Sequence, residues 1–193
     1  MKKSVLSNLG FQKNWTYEVI VITIDEKGNP HAAVMGVSSP DLVSVSMEIY
    51  SSSRTIKNIL STKKATVNFC QDLDLYKKIL LEEDFTFRFV GEQTIIGGSK
   101  GYLALQLTSQ VKEANSTRLQ FEIVEAKVDG KPGLFNRAES AFLEALIAYS
   151  KEETLGREKM LSDLKEHSRI INKVAPSSCY CSLISELLAK AKK

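Results

Sequence analysis

The stretch EVIVITIDEKGNPHAAVMGV, residues 18–37, decides the fold of this chain. Four consecutive β-branched residues occupy positions 19–22, so Glu18 to Asp25 is predicted to be a strand buried on both faces. The segment EKGNP, residues 26–30, is a turn signal. His31 to Ser38 then returns as a second strand, and the two strands are expected to form an antiparallel hairpin.

Short strands separated by turns continue after this hairpin. Leu42 to Tyr50 alternates cleanly, which predicts a strand with one apolar face. Six or seven short, mostly antiparallel strands with turn signals between them favour a closed barrel over an open sheet. The inward side chains of the third strand are expected to be Val43, Val45, Met47 and Ile49, and the later strands are predicted at residues 65–70, 85–91, 102–112 and 118–128.

Helical periodicity occurs twice within the barrel region and throughout the C-terminal third. Short helices are predicted at residues 55–61 and 72–83, the second with Leu73, Tyr76, Ile79 and Leu80 on its apolar side. Lys131-Pro132-Gly133 marks a boundary, so we expect a barrel domain at 1–130 and a helical extension at 131–193 that packs on the barrel. The extension should hold helices near 138–149, 157–173 and 178–191, the first with an apolar face of Ala138, Ala141, Phe142, Ala145, Leu146 and Tyr149.

The bulk composition indicates an ordinary globular protein. The 193 residues are 43% hydrophobic and 25% charged, with a net charge of +3. That charge is too small to indicate a nucleic-acid partner, and the longest apolar run, residues 19–22, is too short to span a bilayer. Three cysteines without a framework spacing fit a reducing cytoplasm, which is the expected location.

The junction IYSSSRTIKNIL, residues 49–60, crowds hydroxyls and cationic groups between a strand and a helix. A helix N-terminus has unpaired backbone N–H groups and a partial positive charge. Ser53 is a candidate cap, Thr55 lies in the first turn, and Arg54 and Lys57 add charge, which together suit a phosphate. The alternative is that Ser53 only caps the helix while the two cations are solvated.

Two further positions invite a ligand interpretation. The second strand carries small residues at Ala32, Ala33 and Gly36, so a flat ring could lie against its backbone, or a bulky neighbour could need that room. Asn68 lies in an apolar strand, where a buried amide needs partners. It either meets the polar edge of a ligand or ties down a loop.

Other chemistry is weakly represented. The two histidines, His31 and His167, have no metal-ligand spacing and no nucleophile arrangement around them, so no catalytic residue and no metal site are assigned. Cys179 and Cys181 lack the second cysteine pair of a structural metal site. A GxGxxG fingerprint is absent, which argues against a dedicated nicotinamide domain.

Taken in order, residues 18–37, 49–60, the strand ATVNF and the helix FNRAESAFLEALI resemble an uncharacterised, largely archaeal family of FMN-binding split-barrel proteins. These are relatives of the flavin reductases and of pyridoxamine-phosphate-oxidase-like barrels. The resemblance covers residues 18–149 and implies an antiparallel split β-barrel, mainly β, with a C-terminal helical region. Family members tend to follow the EALI segment with histidine and arginine, whereas this chain has Ala148-Tyr149-Ser150-Lys151.

The resemblance also implies a cofactor site shared between the two subunits of a homodimer. The cofactor would be FMN, and the activity that of a flavin-dependent oxidoreductase with a nicotinamide or other small-molecule redox partner. The alternatives are a non-catalytic flavin carrier and a binder of another phosphate-bearing ligand. The implied phosphate ligands are Ser52, Ser53, Arg54 and Thr55 with Asn58 nearby, and the implied ring bed is Ala33, Val34, Met35, Gly36 and Val37 with Asn68 at a polar edge.

Overall fold

The computed structural model describes residues 4–130 and 132–192, so the boundary expected at Lys131 lies outside the described residues. They form two compact units, one of residues 4–13 with residues 18–130 and 132–135, and one of Asn14–Tyr17 with residues 136–192. The strands are β1 (Tyr17–Ile24), β2 (Pro30–Ser38), β3 (Val45–Tyr50), β4 (Lys64–Asn68), β5 (Phe87–Val90), β6 (Gln93–Ile96), β7 (Gly101–Lys112) and β8 (Ser116–Val128). The helices are α1 (Val5–Leu9), α2 (Arg54–Thr62), α3 (Leu73–Leu80), α4 (Arg137–Ser150), α5 (Glu152–Leu155), α6 (Arg157–Val174) and α7 (Cys179–Ala191).

Six strands close into a barrel in the order β1-β2-β3-β8-β7-β4. Closure is antiparallel between β1 and β4, where Ile20 lies opposite Asn68 and Val21 opposite Val67. The long hairpin of β7 and β8 lies between β4 and β3, with register shifts after Ala104 and Leu107. The predicted closed antiparallel barrel followed by helices is therefore confirmed.

The third strand is shorter than predicted, and the prediction that Val43 faces inward was wrong. The Asp41 carboxylate accepts hydrogen bonds from the backbone N–H groups of Val43 and Ser44, and Leu42 has a left-handed φ of 63°. These contacts hold residues 41–44 in a turn, so Val43 is 65% exposed and β3 starts at Val45. The alternation from Val45 onwards is as predicted.

The region between β4 and β7 also departs from the prediction. In α3 the buried side chains are Leu75, Tyr76 and Ile79, whereas Leu73 and Leu80, seven positions apart, share a neighbouring face that is open to solvent. The predicted inward orientation of these two leucines was wrong. The strand β6 was missed because its four residues follow β5 after a turn of only two, and the pair forms a separate two-stranded sheet.

The helical unit has its own apolar core. Ala138, Ala141, Ala145 and Ala148 are the buried residues of α4, while Phe142 and Tyr149 are partly buried. Leu146 was predicted on that apolar face but is exposed, since the alanine row turns it towards solvent. Within the described ranges, none of the helices has the length and hydropathy needed to cross a bilayer.

Candidate functional site

Pairing between β2 and β3 is short. These strands pair at Val37 opposite Met47 and Ser38 opposite Ser46, which is the C-terminal end of β2. Beyond these two pairs no further pairing between β2 and β3 is found among the described residues. Residue 53 lies after the end of β3, where the chain turns into α2. Helix α2 lies against both β2 and β3, so α2 and the first half of β2 border one region, which we call the split.

The ring-bed residues expected on β2 form a strip that is half open to solvent. Ala33, Val34, Met35 and Gly36 are each only partly buried, although every residue from Val19 to Thr23 on the adjacent β1 is buried. Val37, which follows these residues on β2, is almost inaccessible to solvent. Val34 also packs against an apolar cluster that includes α3 and the β5–β6 hairpin.

The start of α2 has the geometry of a capped helix N-terminus. Ser53 is extended, and its hydroxyl accepts a hydrogen bond from the Ile56 N–H at 3.3 Å, so the capping role considered from the sequence is present. Ser52 is exposed, while Thr55 is almost fully buried in the first turn. The first N–H groups of any helix have no acceptor within it, so this turn presents donors along with the hydroxyls.

Arg54 reaches back to the turn between β1 and β2. Its Nη2 lies 3.7 Å from Oδ2 of Asp25, and its side chain remains 53% exposed. The Asp25 carboxylate accepts hydrogen bonds from the side chain and backbone of Asn29, and these bonds, with a smaller contribution from Arg54, lower the pKa of Asp25. Asp25 is thus held as an anion, and Arg54 has a long ion pair that a better anion could replace.

Asn58 has a structural contact that sequence reasoning did not find. Its side chain is buried, and Nδ2 donates to Oγ1 of Thr23 on β1 at 3.1 Å. Since a buried amide needs partners, this bond fixes α2 against the barrel wall. The two residues are 35 positions apart in the chain, so no local sequence pattern predicts this contact.

The hydrogen bonds of Asn68 correspond to the alternative in which its side-chain amide ties down a loop. It has no exposed surface, its Nδ2 donates to the Thr66 carbonyl oxygen, and its Oδ1 accepts from the Ile96 N–H at 3.0 Å. The amide therefore holds β6 next to β4. A place for Asn68 at the edge of a ligand ring stays a prediction.

His31, which the sequence did not assign to any site, lies at the open end of β2. It is half-buried, and burial is the main reason that its pKa is lowered, with Arg54 acting in the same direction and Glu82 against it. The signal that could have found it is its position, directly before the small-residue strip in PHAAV.

The arrangement as a whole combines a flat, half-exposed strand with a cationic, hydroxyl-rich helix start. Charge-assisted hydrogen bonds from several donors are what a phosphate requires, and a narrow strip of small and apolar side chains suits a planar ring. The described side chains near the split offer no nucleophile paired with a base. These features are compatible with a planar molecule that carries one phosphate.

The fold and this split define the class of split-barrel proteins to which flavin reductases belong, as the expected resemblance implied. The chain belongs to the DUF447 family. The model of the N-terminal domain of this "protein of unknown function" family matches residues 17–130, and the second DUF447 model matches residues 136–178.

Solved structures give the same result for the fold. An FMN-bound DUF447 protein from Methanosarcina mazei is 20% identical, with 96% of this chain and 99% of that chain covered at a TM-score of 0.57. A flavin reductase with a split-barrel domain from Shewanella frigidimarina is 17% identical over 60% of this chain and 68% of that chain, with a TM-score of 0.52. The flavin reductase PheA2 is 19% identical over 64% and 91%, with a TM-score of 0.50. At these identities the likeness concerns the fold.

Proposed function

We propose that this protein binds FMN in the split between β2 and α2. The observation that carries the proposal is that pairing between β2 and β3 is confined to Val37 opposite Met47 and Ser38 opposite Ser46, while α2 lies against the half-exposed part of β2. The family relative from Methanosarcina mazei is FMN-bound, which supports the same ligand here.

The phosphate is assigned to the start of α2. Ser52, Ser53 and Thr55 supply hydroxyls, the first-turn N–H groups supply further donors, and Arg54 supplies charge when it leaves Asp25. Asn58 has the supporting role of holding α2 in place through Thr23. One phosphate cluster, without a glycine-rich pyrophosphate loop, favours FMN over FAD.

The ring is assigned to β2. Ala33, Val34, Met35 and Gly36 form its bed, and Val37 follows them on the same strand. The small side chains allow close approach to the strand backbone. A buried amide such as Asn68 would reach a ring edge only if β6 moved, since both of its ends are occupied.

The activity we infer is that of a flavin-dependent oxidoreductase. A bound flavin supplies the electron and hydride chemistry, so the protein's own residues have to bind, orient and shield it. That division fits a site built from hydroxyls, one guanidinium and an apolar strip. Likeness to flavin reductases favours a nicotinamide or another small molecule as the redox partner. A non-catalytic flavin binder is the second candidate, favoured by the lack of an assigned acid–base pair.

We further propose a cytoplasmic homodimer. The strip on β2 is half-open, and a second copy that covers it would exclude water from the ring. On α4 the exposed apolar side chains are Leu143, Leu146 and Ile147, which add a second surface of this kind. The three cysteines are free thiols, which agrees with a reducing compartment.

The test is to purify the protein, record its absorption spectrum and identify by mass spectrometry the molecule released on heating. FMN in the released fraction is the expected result, and FAD or a non-flavin phosphate ester would contradict the proposal. Reduction of the bound flavin by NADH or NADPH, at a rate that saturates with nicotinamide, would establish the oxidoreductase. A flavin that no nicotinamide reduces would favour the non-catalytic binder.

A further inference from the structure

We propose that His31 is a proton-linked contact for the phosphate of the ligand: it takes up a proton as the phosphate dianion binds and forms an ion pair with it. The protein would therefore discriminate more strongly in favour of a phosphorylated flavin as the pH falls towards 6. This inference rests on the proposed function and assigns a residue and a pH response to the same site.

The position of His31 is fixed by backbone geometry. It is the second residue of β2 and follows the turn whose Asp25 holds the guanidinium of Arg54. His31 lies in the part of β2 that precedes its pairing with β3 at Val37, and the guanidinium of Arg54 on α2 is near enough to act on its charge. An anion that draws Arg54 away from Asp25 would therefore lie near the imidazole.

The charges that act on His31 come from the elements around it. Arg54 on α2 opposes a positive imidazole, and Glu82, which follows α3, favours one. Asp25 in the β1–β2 turn is engaged with Arg54 and Asn29. Burial, with a smaller contribution from Arg54, lowers the pKa of His31 below its ordinary value, which disfavours the charged imidazole in the free protein.

A bound phosphate would reverse this balance. A dianion beside the imidazole stabilises the protonated form and also draws the charge of Arg54 to itself, so both effects raise the pKa of His31. When binding raises the pKa of a group, protonation of that group strengthens binding, and the full gain in affinity is present at pH values below the pKa of the free protein. That contribution is lost as the pH increases through the bound-state pKa. A rise of about one unit corresponds to an affinity change of about tenfold across that window.

The phosphate itself titrates near pH 6, which also changes affinity. The variant His31→Gln separates the two effects, because glutamine keeps a polar side chain and cannot become cationic. The matched control is His167→Gln, which alters the other histidine of the chain, on α6 of the helical unit. Riboflavin, which has the ring without the phosphate, is the ligand control.

The direct experiment is proton NMR of the imidazoles across pH 5.5–8.5 in the flavin-free protein, with FMN and with riboflavin. Only two histidines are present, so His31→Gln assigns the His31 resonance and His167 provides an internal reference. We expect FMN to raise the pKa of His31 by about one unit and riboflavin to leave it unchanged. An unchanged pKa with FMN, or equal shifts with both ligands, would overturn the inference.

Fluorescence titrations give the second readout. Between pH 8 and pH 6.5 the ratio of FMN to riboflavin affinity should rise about three- to tenfold more in the wild type and in His167→Gln than in His31→Gln. If FMN binds tightly and the three proteins show the same pH profile, the role of His31 is wrong while the proposed function stands. If FMN does not bind at any pH, both proposals fail.

Discussion

At the scale of single residues, Arg54 and Thr55 decide whether the helix start is a phosphate site. Arg54 has an exposed side chain and a long ion pair, whereas Thr55 is buried in the first turn. A charge-assisted hydrogen bond contributes roughly 1.5–3 kcal/mol, and each 1.4 kcal/mol is about tenfold in affinity. Arg54→Ala and Thr55→Val should therefore each weaken FMN binding by about ten- to a hundredfold, measured by quenching of flavin fluorescence.

The controls for these variants are a ligand and a matched arginine. Riboflavin affinity should hardly change, because riboflavin has no phosphate to lose contact with. Arg169→Ala removes an exposed arginine with one close acidic partner, Glu166, from α6 and should leave FMN binding as it was. Equal loss of FMN and riboflavin in Arg54→Ala would mean that the change damages the whole site, and the phosphate assignment would be wrong.

Asn58 is expected to matter for stability. Asn58→Ala removes the buried donor to Thr23 and leaves the threonine hydroxyl without it, which costs about 1–3 kcal/mol in the free energy of unfolding. Ser61→Ala on the same helix removes an exposed hydrogen bond to Glu26 and should cost under about 0.5 kcal/mol. Urea denaturation measures both values, and equal stabilities of the two variants would refute the anchoring role of Asn58.

At the scale of the element, α2 has to be both a capped helix and an anion site. Ser53→Asp separates these functions, since aspartate is as good a cap as serine but brings a negative charge to the phosphate position. Two like charges about 4 Å apart oppose each other by roughly 1–4 kcal/mol near a protein surface. Unfolding stability should stay within about 0.5 kcal/mol of the wild type, while FMN affinity falls at least about tenfold.

Stability and FMN affinity have to be measured together to distinguish a helix cap from a phosphate site at the start of α2. A variant that keeps its stability and its FMN affinity would show that Ser53 only caps the helix. Ser53→Ala completes the set, because it removes the cap without adding charge and should lower the stability by about 1 kcal/mol.

Elements with strong local signals could be predicted from the sequence, and others could not. The β-branched run at residues 19–22 and the hydroxyl cluster before α2 define their elements through neighbours in the chain. A turn was predicted at residues 39–41, but its extension to Ser44 was missed because the side-chain hydrogen bonds of Asp41 outweigh the alternation that includes Val43. The strand β6 is too short for periodicity to identify.

The candidate site shows the same division. The start of α2 and the strip on β2 were predicted as separate stretches, because each has its own local composition. The contacts that relate them, from Asn58 to Thr23 and from Arg54 to Asp25, join residues far apart in sequence. Sequence periodicity predicts which face of an element is apolar, but it does not predict which other element packs on that face. These contacts and the surroundings of His31 could therefore be identified only from the three-dimensional structure.

At the scale of the whole molecule, we expect a homodimer that retains its flavin. A half-open strip on β2 leaves one face of the bound ring to water unless a second copy covers it. Light scattering of the flavin-loaded protein should give about twice the mass of the 21.5 kDa chain. A monomer of full flavin content would contradict the shared site.

The central claim is that the split barrel holds one phosphate of a flavin at the start of α2. Its most direct test compares the dissociation constants of FMN and riboflavin for the flavin-free wild-type protein under the same conditions at pH 7. Two or more charge-assisted bonds to the phosphate predict that FMN binds at least about a hundredfold more tightly than riboflavin. Equal affinities for the two flavins would contradict the account.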